Sequence, residues 1–272
     1  MSSPKQIFVS GGFDDLKAGD LRFLEESARL GELSALVWPD VTFQKVTGRM
    51  PKFPLAERIY FLNAIRYVGQ VMVAKPGEGV DELPKNLAAD GWAGVESDSN
   101  VRRQEFAERA KIIYRVFNAD ELKGFPAPPP MPSGPGRKKI VVTGTFDWFH
   151  SGHVRFTEEV SALGDLYVIV GHDANIRLLK GEGHPVLSQA ERRYVVGSIK
   201  FVKEALISTG DGWLDAEPEI KALQPDIYVV NEDGDRGGKR EYCQKLGIEY
   251  LVLKRIPAPG LPRRSSTELR GF

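Results

Sequence analysis

The chain repeats itself, and this restricts its fold to something that can be built twice within 272 residues. GGFDDLKAGD (Gly11–Asp20) runs alongside Gly144–His153, with Phe13 over Phe146, Asp14 over Asp147 and Gly19 over Gly152, each pair 133 positions apart. AERIYFLNAIRYVGQVMV (Ala56–Val73) matches AERRYVVGSIKFVKEALI (Ala190–Ile207) at a separation of 134, and NADELKGF (Asn118–Phe125) lies over SSTELRGF (Ser265–Phe272). The reading is of two fused copies of one domain, residues 1–125 and 138–272. The intervening PAPPPMPSGPGR, residues 126–137, contains six prolines, which neither continue a helix nor pair inside a sheet. An extended polyproline spacer is expected there.

Within the second copy, apolar runs alternate between strand and helix lengths. Strands are expected at Ile140–Val142, Leu166–Val170, Ala205–Ser208, Ile227–Val230 and Tyr250–Leu253. Helices are expected at His153–Leu163, Gln189–Ser198, Asp215–Leu223 and Lys239–Leu246. This alternation predicts an α/β fold with two tandem Rossmann-like domains, each a doubly wound parallel sheet with its ligand site at the carboxyl ends of the strands.

Charge narrows the choice of ligand. Lys+Arg and Asp+Glu both number 37, so nothing draws the whole chain towards nucleic acid or an anionic membrane, and a small-molecule substrate is expected. No apolar run approaches the ~20 residues needed for a membrane span. The start of the chain has no leader-like pattern, and Cys243 is the sole cysteine. A cytoplasmic protein is expected, with Cys243 a buried apolar residue on a helix.

The chemistry concentrates in IVVTGTFDWFHSGH, Ile140–His153. A short apolar strand, a glycine turn at Gly144 and a helix start is the arrangement that turns backbone N–H groups and a positive helix end towards a phosphate. His150 and His153 stand one turn apart at that end, with Gly152 between them. A lone histidine at a helix start is usually a cap, but here three further motifs follow: KGEGHP (Lys180–Pro185), ERRYVV (Glu191–Val196) and RRSSTELR (Arg263–Arg270). In this order the four motifs resemble the HxGH nucleotidylyltransferase superfamily, in its cytidylyltransferase-like branch, over residues 138–272. The nearest likeness is to the ethanolamine-phosphate and glycerol-3-phosphate cytidylyltransferases.

The resemblance implies transfer of CMP from CTP to a phosphorylated alcohol or polyol with release of pyrophosphate. An adenylyltransferase using ATP, similar to the flavin or heptose-phosphate enzymes, is the alternative, because phosphate-binding motifs do not read the base. It implies His150, His153 and Lys180 as catalytic residues. It places Gly144, Thr145, Phe146, Asp147, Gly152, Arg192, Asp233, Ser265, Ser266 and Thr267 around the nucleotide. The family's arginine falls on Arg255 or, because IPAPGLP lengthens the spacing, on Arg263 or Arg264. Mg²⁺ is expected on the triphosphate, with no metal held by the protein itself.

In the first copy, Lys17 and Asp20 stand where the second has His150 and His153, and Asn118–Asp120 stand where it has Ser265–Thr267. An aspartate ~4 Å from a phosphate oxygen repels it by ~4 kcal/mol at an effective dielectric near 20. The first copy is therefore expected to be degenerate and to serve as a built-in dimer partner, with further oligomerisation open. A catalytically silent nucleotide-binding scaffold is the reading from another class, and the intact second-copy motifs argue against it. TGTFDWF lacks the GxGxxG fingerprint of a dehydrogenase.

Overall fold

The structure, a computed structural model of the chain, describes residues 4–266. The chain divides into two compact units, Met1–Gly124 and Phe125–Phe272. The first runs β1 (Gln6–Gly11), α1 (Ala18–Ala28), β2 (Glu32–Val37), α2 (Asp40–Thr47), α3 (Leu55–Ala64), β3 (Gln70–Val73), β4 (Gly91–Val95), α4 (Val101–Ala110) and β5 (Ile113–Phe117). The second runs β6 (Lys139–Gly144), α5 (Ser151–Ser161), β7 (Asp165–Val170), α6 (Asp173–Lys180), α7 (Gln189–Gly197), β8 (Val202–Ile207), α8 (Glu217–Leu223), β9 (Ile227–Asn231), α9 (Lys239–Leu246) and β10 (Glu249–Leu253).

Each unit carries one five-stranded sheet, ordered β3-β2-β1-β4-β5 and β10-β9-β6-β7-β8. Every pairing within the sheets is parallel. Read from opposite edges, the two orders are the same. In each, the first strand lies between its neighbours with crossovers leaving in both directions, so a crevice opens at the carboxyl ends of β1/β4 and of β6/β9. The expected doubly wound architecture is present in both units.

The composition of β6 accounts for its central place. Ile140, Val141 and Val142 are fully buried, as expected for a parallel strand covered on both faces, and each contributes roughly 1.5–3 kcal/mol of burial. On one face Val141 packs with Ile169, Ile220, Tyr228 and Cys243. Cys243 is the buried apolar residue expected, and burial pushes its thiol up to about 11, so it stays protonated. Among the described residues, no helix is long and apolar enough to cross a membrane.

One local expectation needs correcting: Asp173–Lys180 is a helix where none was expected, and Lys180 is its last residue. Asn175 and Ile176 are its buried residues, while Leu178 and Leu179 face outward, 73% and 53% exposed. With 8 residues the helix spans barely two turns, too short for an apolar period to be read from sequence. The proline-rich stretch lies along the second unit. The Met131 N–H donates to the carbonyl of Lys203 (2.8 Å) on the edge strand β8, and Arg137 Nε donates to Asp165 Oδ1 (2.7 Å). Extended backbone leaves its N–H groups unused internally, and here one of them caps an exposed sheet edge.

Candidate active site

The site grows from the end of β6. After Gly144 the chain turns through Phe146, which has φ 53°, and a Cβ added at Gly144 would come within 2.9 Å of the Phe146 ring. The turn therefore needs glycine at that point so that the ring can fold back over it. His150 is the N-cap of α5, with its Nδ1 accepting the Gly152 N–H at 3.1 Å. His153, three residues on, stacks on Phe149 (centroids 5.2 Å apart, planes 24° apart) and meets Phe146 edge-on. The two imidazole centroids are 4.1 Å apart. Any Cβ at Gly152 would lie 2.9 Å from His150 Cε1, so the residue between the histidines must be small for the first ring to cap the helix.

That cap fixes the tautomer of His150. A neutral ring whose Nδ1 accepts must carry its proton on Nε2. His150 Nε2 and His153 Nδ1 are both buried and have no hydrogen-bond partner among the described residues. Burial lowers the His150 pKa to about 2, with smaller contributions from His153, Arg255 and Arg264. Burial, then Arg255, lowers His153 to about 3. Both rings are therefore neutral near pH 7 and offer polar N and N–H groups rather than charge. Leaving such groups buried and unpaired costs about 1–3 kcal/mol each, so the pocket favours a ligand that supplies oxygen atoms.

The charge comes from beyond β10. Arg255 Nη1 pairs with Asp233 (2.6 Å) and its Nη2 donates to the Arg264 carbonyl (3.1 Å). Arg255, Arg263 and Arg264 line one small cleft with Gly152, Asn231 and Lys254, so the three rival arginines of the sequence are brought together. Arg255 and Arg264 are the two whose fields reach His150. Ser266 Oγ donates weakly to the Trp148 carbonyl (3.3 Å), Ser265 precedes it in the chain, and Thr267 lies outside the described residues. Lys180 is exposed at the end of α6. Lys254 and Phe149 were not anticipated. Lys254 adjoins Arg255 and Phe149 precedes the first histidine, and adjacency to a motif residue was the only available signal.

Two expected nucleotide contacts are placed differently. Arg192 is 0% exposed, and its Nε, Nη1 and Nη2 donate to the carbonyls of Leu187 (3.0 Å) and Thr145 (2.7 Å) and to Asp173 Oδ1 (2.6 Å). Asp147 is 4% exposed and accepts the N–H groups of Val186 and Leu187 at 2.8–2.9 Å. Both side chains tie the turn after β6 to α6 and to the start of α7. Glu191 closes a capping box with Ser188 at that same helix start.

The profile of the family described as "Cytidylyltransferase-like" matches residues 141–271. A curated relative, the FAD synthase of Ferroglobus placidus, is 38% identical over 120 residues, which are 43% of this chain and 75% of that protein. The chain belongs to the cytidylyltransferase-like family. It is a nucleotidyltransferase. The FAD synthase of Methanocella paludicola is 31% identical over 135 residues, covering 48% of this chain and 93% of that protein. The bifunctional protein HldE of Campylobacter concisus is 35% identical over 153 residues, 54% of this chain but only 31% of that protein. The family match falls within the unit that carries His150 and His153.

The first unit has the same frame around different side chains. Asp14 accepts the N–H groups of Lys52 and Phe53 at 2.9 Å each. Arg58, 1% exposed, donates to the carbonyls of Phe53 (3.0 Å), Gly12 and Trp38 (3.0 Å) and to Asp40 Oδ1 (2.5 Å). Phe13 has φ 50°, like Phe146. At the helix start, however, the N-cap is Lys17, which pairs with Asp15 (3.0 Å), and three residues on is Asp20, whose Oδ2 accepts the Lys17 N–H at 2.7 Å.

Proposed function

We propose that the second unit transfers a nucleotidyl group from a nucleoside triphosphate, carried with Mg²⁺, to a phosphorylated small molecule, and that ATP is the donor. The observation that carries the reading is the pair of buried, neutral imidazoles with unpartnered nitrogens at the helix start beyond β6. An oxygen of the acceptor phosphate attacks the α-phosphorus, the bond from that phosphorus to the bridging oxygen of the β-phosphate breaks, and pyrophosphate leaves. Charge grows on the α-phosphoryl oxygens and on the leaving oxygen, so catalysis here is positioning and electrostatic stabilisation. The His150 Nε2–H and the His153 ring meet the α-phosphoryl group. Arg255, Arg264 and Lys180 supply the positive field, and Ser265, Ser266 and Thr267 hold the outer phosphates. Asp147 and Arg192 act indirectly, by holding the turn that presents Gly144 to Phe146. Mg²⁺ arrives as part of the substrate, since the Asp147 carboxylate is already engaged by two backbone N–H groups.

ATP is favoured by the named relatives: FAD is FMN joined to AMP, so forming it is an adenylyl transfer. The family description favours CTP, which is the second reading. The first unit is a degenerate copy, because Asp20 occupies the place of His153 and neutralises its own helix start.

Thermal shift with Mg²⁺ and each of ATP, CTP, GTP and UTP, on the wild type and His153→Ala, separates these readings. ATP is expected to stabilise the wild type selectively and the variant less. Pyrophosphate release with FMN or a sugar 1-phosphate as acceptor should then fall about 10²–10³-fold in His153→Ala, the usual effect of losing one preorganised donor. Selective response to CTP transfers the reading to cytidylyl transfer, and no response to any triphosphate overturns both.

A further inference from the structure

The first unit contains a cleft of about 740 Å³ at the carboxyl ends of β1, β2, β4 and β5. It lies at the point where crossovers leave β1 in opposite directions, the general location of ligands in open parallel sheets, and its volume is within the range of about 300–1,000 Å³ usual for small-molecule sites. Its chemistry is the inverse of a phosphate site. Aromatic rings of Phe23, Trp38 and Phe43 line it, Trp38 being oriented by its Nε1–H donating to the Gly79 carbonyl (2.8 Å). Both arginines in the lining are committed elsewhere: Arg49 pairs with Asp14 (2.9 Å), while Arg103 donates to the Val80 carbonyl (2.8 Å) and stacks over Trp92.

Two of the four acids in the lining are matched in their turn, Asp14 by Arg49 and Asp81 by Arg102. Asp20 and Asp98 line the cleft, and neither forms a salt bridge among the described residues. Asp20 is reachable by solvent from the mouth, yet protein surrounds it on most sides. That enclosure, helped by the Asp15 and Asp98 carboxylates, raises its pKa against the opposing pull of Lys17. A cation placed here relieves the repulsion among these carboxylates. The acids do not converge enough to chelate an ion, since no group of three metal-ligating side chains occurs among the described residues.

We propose that this cleft is a second binding site, for a small organic amine whose ammonium group lies by Asp20 and Asp98 and whose apolar body lies against Phe23, Trp38 and Phe43. The proposal is independent of which nucleotide the second unit uses.

Calorimetry on the full chain tests it, with phenethylamine as the probe and 2-phenylethanol as its uncharged counterpart. Phenethylamine is expected to bind saturably, once per chain, at least about 10-fold more tightly than the alcohol. Asp20→Asn and Asp98→Asn should each weaken it about 10-fold, and His153→Ala should leave it unchanged. Asp20→Asn keeps an acceptor for the Lys17 N–H, and Asp98 is on an exposed turn, so both variants should fold. Absence of saturable phenethylamine binding, equal affinity for amine and alcohol, or binding indifferent to both aspartate variants would overturn the proposal.

Discussion

At His150 a single hydrogen bond decides what the ring can do. By accepting the Gly152 N–H, Nδ1 caps the helix and sends the only proton of the ring to Nε2, the atom with no hydrogen-bond partner among the described residues. Gly152→Ala would put a Cβ 2.9 Å from that ring. The expected result is displacement of His150, a loss of pyrophosphate release of at least about 10-fold, and a change in thermal stability of about 1 kcal/mol or less, since alanine suits a helix better than glycine. The buried neutral rings also make stability depend on pH. Their folded pKa values, about 2 and about 3, lie below the ordinary 6.5, so between these limits the unfolded chain binds more protons. Their contribution is therefore complete above pH 6.5 and declines as pH falls towards 3, on the order of 1 kcal/mol per pH unit for each ring. Melting temperature should drop from pH 7 to pH 5, and the drop should be shallower when both histidines are replaced by glutamine.

Among the elements, those with a strong apolar period could be read from the sequence. Ile140–Val142 is a buried strand, and Gln189–Gly197 is a helix within one residue of expectation. The helix after the motif was expected over His153–Leu163 but begins at Ser151, with His150 as its cap. The helix Asp173–Lys180 was missed because its 8 residues are too few for a period to register, although Asp173 in its first turn, Lys180 in its last and Gly181 after it are end signals. What spacing alone did not reveal is that Arg192 faces inward: an arginine in ERR on a helix reads as a solvated charge until its three acceptors are known. The helix that carries it depends on its capping box. Ser188→Ala should cost about 1 kcal/mol by thermal or urea denaturation and should raise the KM for the triphosphate more than it lowers kcat, since it loosens the frame without removing a donor.

At the scale of the whole molecule, the two sheets share one strand order and the two turns share one frame, while the helix starts differ in charge. One nucleotide per chain is therefore expected in calorimetry with the triphosphate that stabilises the protein. Two equivalent sites would mean that Asp20 does not exclude phosphate. The matched pairs Asp14/Arg58 and Asp147/Arg192 carry a wider lesson about such motifs. They behave like the poured foundation of a building whose use can change: each ties backbone N–H and carbonyl groups of the turn to a neighbouring carboxylate, so it works equally well beneath a phosphate site or an acidic cleft. The FD of the turn and the ER of the helix therefore certify the architecture of a domain but not its activity. In a sequence of this kind the chemistry must be read from the two residues at the cap and third positions of the following helix, where one unit has histidines and the other a lysine and an aspartate.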